Sequence, residues 1–277
     1  MNKFFVMSDI HSFADEMFKA LNDKGFDKSN KDHYLIVCGD LFDRGKKPLE
    51  VLKFVQSLGD RFIYVRGNHE DLLFECVDEM IHGYEPSSHH WHNGTFDTIL
   101  GLCDLTRDDY WRMQVNAIND NNVFSVIEER MKPYLDFINK KSINYFETKN
   151  NIFVHGWIPG KPDPNNDLSY YDVYGKYDIY DDNWRTSSFW EYARWKNGMQ
   201  QYQRGVKEPN KTIICGHWHC SWGWSNLLHQ REEFPKKTEG DWLKSFEPFI
   251  DDGIVALDAC TAYSGICNCI VIEDEEL

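Results

Sequence analysis

The sequence predicts an α/β fold, with a largely parallel sheet at its start, on three observations. Short β-branched and aromatic runs recur at Phe4–Met7, Tyr34–Cys38, Phe62–Val65, Ile152–Val154, Thr212–Cys215, Ile254–Leu257 and Ile266–Ile272. Runs of this length and composition read as buried strands. Amphipathic segments at Ala14–Leu21 and Pro48–Leu58 separate the first three, and the order β-α-β-α-β calls for parallel pairing, because each helical crossover returns the chain to the end it started from. Finally, 277 residues with 42% hydrophobic content can fill a substantial core.

The elements follow in order. Pro48 suits the first turn of the second helix, where a missing N–H costs nothing. From Asp71 to about Lys149 the periodicity turns helical, with Met131, Leu135 and Ile138 spaced for one face. The strand pattern then resumes, so the chain reads as one domain, 1–277, with a helical insertion at about 71–149. Asp163 to Trp190 is dense in Tyr, Asp and Trp, as in "SYYDVYGKYDIYDD", and reads as a structured surface excursion, the alternative being a rim that selects substrate. His89, His90 and His92 in "HHWH" lie in a polar stretch and read as a solvated loop rather than a third metal site. The acidic end Glu273–Leu277 reads as solvated.

Composition excludes several classes. No apolar run approaches the length needed to span a bilayer, and the stretch after Lys3 is too short for a signal peptide, so the expected location is the cytoplasm, without a membrane partner. The eight cysteines include Cys38, Cys215 and Cys269 inside apolar runs, and no C-x-x-C occurs. They read as reduced thiols, with Cys267 and Cys269 as core residues on one strand face. A net charge of −15 repels polyanions and argues against a nucleic-acid groove.

The chemistry lies at the strand ends. Met7 runs into "SDIHS", where Asp9 and His11, spaced i, i+2 on an extended segment, can both reach one object. Tyr34–Cys38 runs into "GDLFDRG" and Phe62–Val65 leads into "GNHED". Ile152–Val154 ends in His155–Gly156, and Thr212–Cys215 in Gly216–His217–Trp218–His219. Five strands thus deliver metal-type ligands past their carboxyl ends, where open α/β sheets gather their sites.

The set Asp9-x-His11, Gly39-Asp40-x-x-Asp43-Arg44-Gly45, Gly67-Asn68-His69-Glu70, His155-Gly156 and Gly216-His217 resembles, in order, the calcineurin-like metallophosphoesterases. Within them it is similar to the phosphoprotein phosphatase branch of bacterial and bacteriophage serine/threonine phosphatases. "WHNG" at Trp91–Gly94 and "LDACTAYSG" at Leu257–Gly265 extend the likeness over most of the chain. The resemblance implies a β-sandwich of two mixed sheets flanked by α-helices in four layers. It implies two divalent cations, Mn²⁺ first, with Fe or Zn²⁺ as alternatives. Asp40 would bridge them, Asp9 and His11 would complete the first site, and Asn68, His155 and His217 the second, with attack by a water activated between the two ions. His69 would be the general acid, pointing away from the metals and oriented by Asp43. Arg44, with Asn68 and either Arg194 or its rival Arg185, would bind phosphate. His219 makes a G-H-x-H and is a candidate further ligand of the first site. Glu70 and the motif glycines read as scaffold.

Three functions are weighed on this basis. A serine/threonine-type phosphatase, acting on phosphorylated protein or small phosphate esters, is the first expectation. A diadenosine tetraphosphatase-like nucleotide hydrolase or phosphodiesterase is the alternative. A non-catalytic scaffold is disfavoured, because it needs neither His69 nor Arg44.

Overall fold

The computed structural model describes residues 2–117, 122–163, 178–238 and 240–274. The first half alternates as expected: β1 (Asn2–Met7), α1 (Ala14–Asp23), β2 (His33–Cys38), α2 (Pro48–Gln56) and β3 (Phe62–Val65). Five helices follow, α3 (Asn68–Ile81), α4 (Ser88–Asn93), α5 (Thr95–Leu102), α6 (Arg107–Ala117) and α7 (Asn122–Lys141). Short strands β4 (Ser142–Ile143), β5 (Phe146–Glu147) and β6 (Asn151–Phe153) lead to β7 (Lys161–Pro162) and β8 (Asp178–Ile179). The remainder holds α8 (Trp190–Ala193), α9 (Gly198–Gln203), β9 (Thr212–Cys215), α10 (Cys220–Asn226), β10 (Phe249–Asp251), β11 (Ile254–Ala256), α11 (Thr261–Ser264) and β12 (Ile270–Asp274).

Two mixed sheets result. One has the order β12-β1-β2-β3-β4 and the other β10-β11-β9-β6-β5. Strands β1 to β4 run parallel with β12 antiparallel at the edge, and β11, β9 and β6 run parallel between antiparallel β10 and β5. Alternation of side chains along the strands builds the layers. Phe4, Val6, Ile36, Cys38 and Val65 of the first sheet meet Phe153, Ile214 and Leu257 of the second, which is a sheet-on-sheet core. On the outer face of the first sheet, Phe5, Met7, Leu35 and Val37 join buried residues of α1 to α3 and α5 to α7, among them Met131 and Ile138. On the outer face of the second, Ile152, Ile213, Cys215 and Ile254 bury Trp157, Trp184 and Trp190. Helix, sheet, sheet and helix make the four layers.

Some expectations change. The stretch 71–149 is helical only to Lys141 and then contributes β4 to one sheet and β5 to the other. "HHWH" is not a solvated loop: it forms α4, and His90 is fully buried. The final strand starts at Ile270 rather than Ile266, because the Asn268 amide donates to the carbonyls of Phe246 at 2.8 Å and Leu257 at 3.0 Å, holding the preceding segment out of ladder geometry. Most of the tyrosine-rich stretch, 164–177, lies outside the described residues, as does the end of the acidic tail. All eight cysteines are free thiols, and among the described residues no helix is long and apolar enough to cross a membrane.

Candidate functional site

Parallel strands β1, β2 and β3 release their chains at one end of the first sheet, and β6 and β9 do so in the second, so the loops that follow them meet. The turns are tight. Asp9, His11, Ser12, Asp40, Asp43, Arg44 and His217 all have positive φ, between 49° and 76°. Left-handed backbone at such residues costs on the order of 1 kcal/mol each and persists where surrounding structure enforces it. Two glycines make room for the carboxylates. A Cβ at Gly67 would lie 2.2 Å from Asp40 Oδ1, and one at Gly216 would lie 2.2 Å from Asp9 Oδ2.

Asp40 sits at the centre with its two oxygens facing different partners. Oδ1 is 3.3 Å from His155 Nε2, whereas Oδ2 is 3.7 Å from His11 Nε2 and 3.9 Å from His69 Nε2. Two donor groups thereby share one carboxylate: His11, Asp40 and His69, and Asp40, His155 and His217, with ligand atoms in each within 4.8 Å of one another. The Asn68 amide oxygen lies 2.8 Å from His155 Nε2 and joins the second group. Backbone carbonyls set the imidazoles: His11 Nδ1 donates to Phe42 O and His155 Nδ1 to Cys38 O, each at 2.8 Å. With Nδ1 so held, Nε2 is the nitrogen that each ring turns to the shared carboxylate and the one that would ligate a metal once deprotonated.

The electrostatics are those of a cation site. Burial, and then the Asp258 carboxylate, push Asp9 well above the usual carboxylate range. Burial also opposes ionisation of Asp40, yet His155 and His69 beside it hold it well below that range. Burial works against charging His155, but Asp40 and then Asp9 lift the ring to about 10. His217 is pushed down to about 3 by burial and by repulsion from His155, and His11 falls by burial and then the nearby Arg44. The buried carboxylates of Asp40 and Asp9 thus keep a proton on His155, and a cation held among these donors would supply positive charge in place of that proton. An oxygen and nitrogen donor set of this kind fits a pair of Mn²⁺, Fe or Zn²⁺ ions.

Beside this centre, Asp43 Oδ2 lies 2.7 Å from His69 Nδ1 and accepts the Thr95 hydroxyl at 2.7 Å. Arg44 Nη2 reaches to 3.4 Å from His69 Nε2. His69 is raised above the ordinary imidazole range: burial opposes this, but Asp40 and Asp43 prevail. Glu70 accepts the N–H groups of Gly67, Asp40 and Leu41 and so ties the second and third motif loops together, a scaffold role.

Other placements depart from expectation. His69, expected to point away from the metal ligands, places its Nε2 3.9 Å from Asp40 Oδ2 and stands with His11 and Asp40. Asp9 faces inward but spends its oxygens on the His217 N–H, at 3.0 and 3.2 Å. His219 turns to Glu233, 2.9 Å from its Nε2, rather than joining either donor group. Arg185 is held by Glu147 and Glu208 and has no free fork to offer. Arg194 binds Asp71 at 2.6 Å and Asn144 at 2.7 Å in a cleft of about 710 Å³ also lined by Arg66 and Tyr145. Its backbone carbonyl lies against Gly156, next to His155. Asp258 escaped the sequence reading, although it follows β11 as Asp40 follows β2; it is buried and accepts the Cys260 N–H at 2.7 Å. Thr95 was missed too, because nothing local marks it.

Comparison with known proteins bears on this geometry. The model of the calcineurin-like phosphoesterases matches residues 2–221. The symmetrical bis(5'-nucleosyl)-tetraphosphatase of Psychromonas ingrahamii is 42% identical over 83 residues, 30% of this chain and 29% of that protein. The corresponding protein of Aromatoleum aromaticum is 39% identical over 129 residues, 47% of this chain and 44% of that one. The matched stretch thus spans less than half the length of either relative. A crystal structure of a cold-active protein-tyrosine phosphatase of a Shewanella species covers 99% of this chain and 76% of its own, with TM-score 0.48 and 14% identity.

Proposed function

The chain belongs to the calcineurin-like phosphoesterases and is a phosphoester hydrolase, and from that premise we propose that it hydrolyses nucleotide polyphosphates of the bis(5'-nucleosyl) tetraphosphate type. The observation that carries the hydrolytic reading is Asp40, whose two oxygens face the two donor groups separately. Asp9, His11 and Asp40 would hold one cation and Asp40, Asn68, His155 and His217 the other. Bound there, the pair would supply Lewis-acid charge and an activated water for in-line attack on phosphorus.

The chain's own residues do the rest. Asp43 fixes Nδ1 of His69 and leaves Nε2 to carry the proton that the departing oxygen needs. Arg44, beside that nitrogen, meets developing negative charge on the phosphoryl oxygens. Arg66 and Arg194 share the single carboxylate of Asp71, so their cleft keeps excess positive charge, with Tyr145, stacked on Trp190, in its wall. Such a cleft suits a phosphate chain that ends in a nucleoside.

The sequence alone favours a serine/threonine-type protein phosphatase. The names of the curated relatives support the nucleotide alternative more. The test is a panel on the Mn²⁺-loaded protein: bis(5'-adenosyl) tetraphosphate, a phosphoserine peptide, p-nitrophenyl phosphate and its bis-ester. The dinucleotide should give the highest kcat/KM, and nucleotide products identify which anhydride breaks. Preferential turnover of the phosphopeptide would return the reading to a protein phosphatase.

A further inference from the structure

Helix α3 begins with Asn68 and His69 and carries Glu75 and Glu79 further along it. Helix α4 packs His89 and His90 against those acids. His89 Nε2 lies 3.7 Å from Glu75 Oε2, and the two imidazole rings have centroids 4.0 Å apart. One donor atom each from Glu75, His89 and His90 falls within 4.8 Å of the others. None of these residues belongs to the Asp40 centre.

The second observation is His90 itself. Its side chain is fully buried, yet neither ring nitrogen has a hydrogen-bond partner. Glu79 is the nearest acid, 3.6 Å from Nε2, but its oxygens are taken by the N–H of Ser87 at 2.7 Å and the Ser87 hydroxyl at 2.5 Å. A buried imidazole with both nitrogens unsatisfied is costly, and a core position with that cost and no ligand would be better filled by leucine. Half-exposed Glu75 and His89 stand in front of it, free to turn and open to solvent.

We propose that Glu75, His89 and His90 form a separate divalent-cation site of the zinc class. Two imidazoles and one carboxylate make a three-ligand set with an open fourth position, and imidazole donors favour zinc over magnesium or calcium. Donors on one tetrahedral zinc stand about 3.3 Å apart, so contraction from 4.8 Å asks only for side-chain rotation at the two exposed residues. The ion clamps α4 to α3. The turn leaving α4 is the one that meets the active loop: Arg44 N donates to Asn93 O at 3.2 Å, and Thr95 then binds Asp43. The site is therefore a staple holding the support of the His69–Asp43 pair, and it takes no part in the chemistry.

The test counts ions. Protein equilibrated with Zn²⁺ and desalted is compared with the doubly substituted Glu75→Gln, His89→Ala chain, whose changes lie at half-exposed positions. The variant should carry one zinc fewer per chain, and the rise in Tm that zinc gives to Mn²⁺-loaded wild type, about 5 °C at saturation, should vanish. His90→Leu provides the second arm, since it removes a ligand while relieving the unsatisfied imidazole. It should also lose one zinc, and should melt no lower than wild type when both are metal-free. Equal zinc content in wild type and both variants, or the same zinc-induced Tm rise in all three, would overturn the proposal.

Discussion

His69 Nδ1 and Asp43 Oδ2 are 2.7 Å apart and both side chains are buried, with Thr95 fixing the same carboxylate oxygen from its other side. The pair stands beside the shared carboxylate Asp40, and His69 Nε2 lies 3.9 Å from Asp40 Oδ2, inside the first donor group, and 3.4 Å from Arg44 Nη2. Two roles for His69 are thus geometrically open, and they respond differently to substitution. For a general acid, His69→Asn should leave the metal content unchanged and lower kcat by about 10²–10⁴. The loss should be large for an alkoxide-like leaving group and small for nitrophenolate. A variant equally slow on both, or short of one ion, would make His69 a ligand.

Thr95→Val tests the support of that pair. Without the hydroxyl, Asp43 loses one of its two partners on Oδ2, so the imidazole is held less firmly. Activity should fall by about tenfold for the loss of one charge-assisted hydrogen bond, through kcat rather than KM. An unchanged kcat would remove Thr95 from the account.

Lys196 is fully buried and paired with Asp178, itself nearly buried. Removing one member strands the other's charge, so Lys196→Met should destabilise the protein by about 3–5 kcal/mol. The double change Lys196→Met, Asp178→Leu should recover most of that loss. Urea denaturation of the three chains decides it: a double variant as weak as the single one would mean that packing, rather than charge, is at stake.

Glu147 accepts Arg185 through two nitrogens, at 2.9 and 2.6 Å, and Lys211 at 2.7 Å. Hydrogen bonds from Arg185, then from Lys211, outweigh burial and lower its carboxyl from 4.5 to about 2. A folded-state pKa below the unfolded value means stabilisation that is complete above pH 4.5 and lost as pH falls toward 2. Because Glu147 is one-fifth exposed and Arg185 one-third, solvent screens the pair and the contribution is about 1 kcal/mol. In metal-free protein, Glu147→Gln should lower stability at pH 7 by that amount and flatten the acid limb between pH 4.5 and 2. Parallel acid limbs would contradict it.

Strand ends were legible because chemistry and periodicity coincide there. An apolar run followed at once by Asp, Asn or His is visible in sequence, and Asp9, His11, Asp40, Asn68, His155 and His217 all come from that pattern. Asp258 obeys the same rule after β11, and it is read from sequence only as part of "LDACTAYSG", with no role of its own. Long-range partners were out of reach. Nothing in "WHNGTF" tells that Thr95 will cap Asp43, 52 positions away, or that His90 will be buried by α3 while His89 remains open. The left-handed turn at Arg44 was hidden as well, since arginine rarely adopts it and only the assembled loops impose it. Arg185 and Arg194 looked alike as candidate clamps because salt-bridge partners are chosen by tertiary structure: Glu147 and Glu208 claim the first, Asp71 the second.

The central claim is that one carboxylate, Asp40, serves two cations. The most direct measurement is Mn²⁺ stoichiometry and affinity in a Glu75→Gln, His89→Ala background, which confines the count to the Asp40 centre, with Asp40 intact or changed to Asn. The intact chain should bind two Mn²⁺, and Asp40→Asn should weaken both together, along with activity. One ion lost and the other kept at full affinity would contradict the shared carboxylate and the hydrolytic centre built on it.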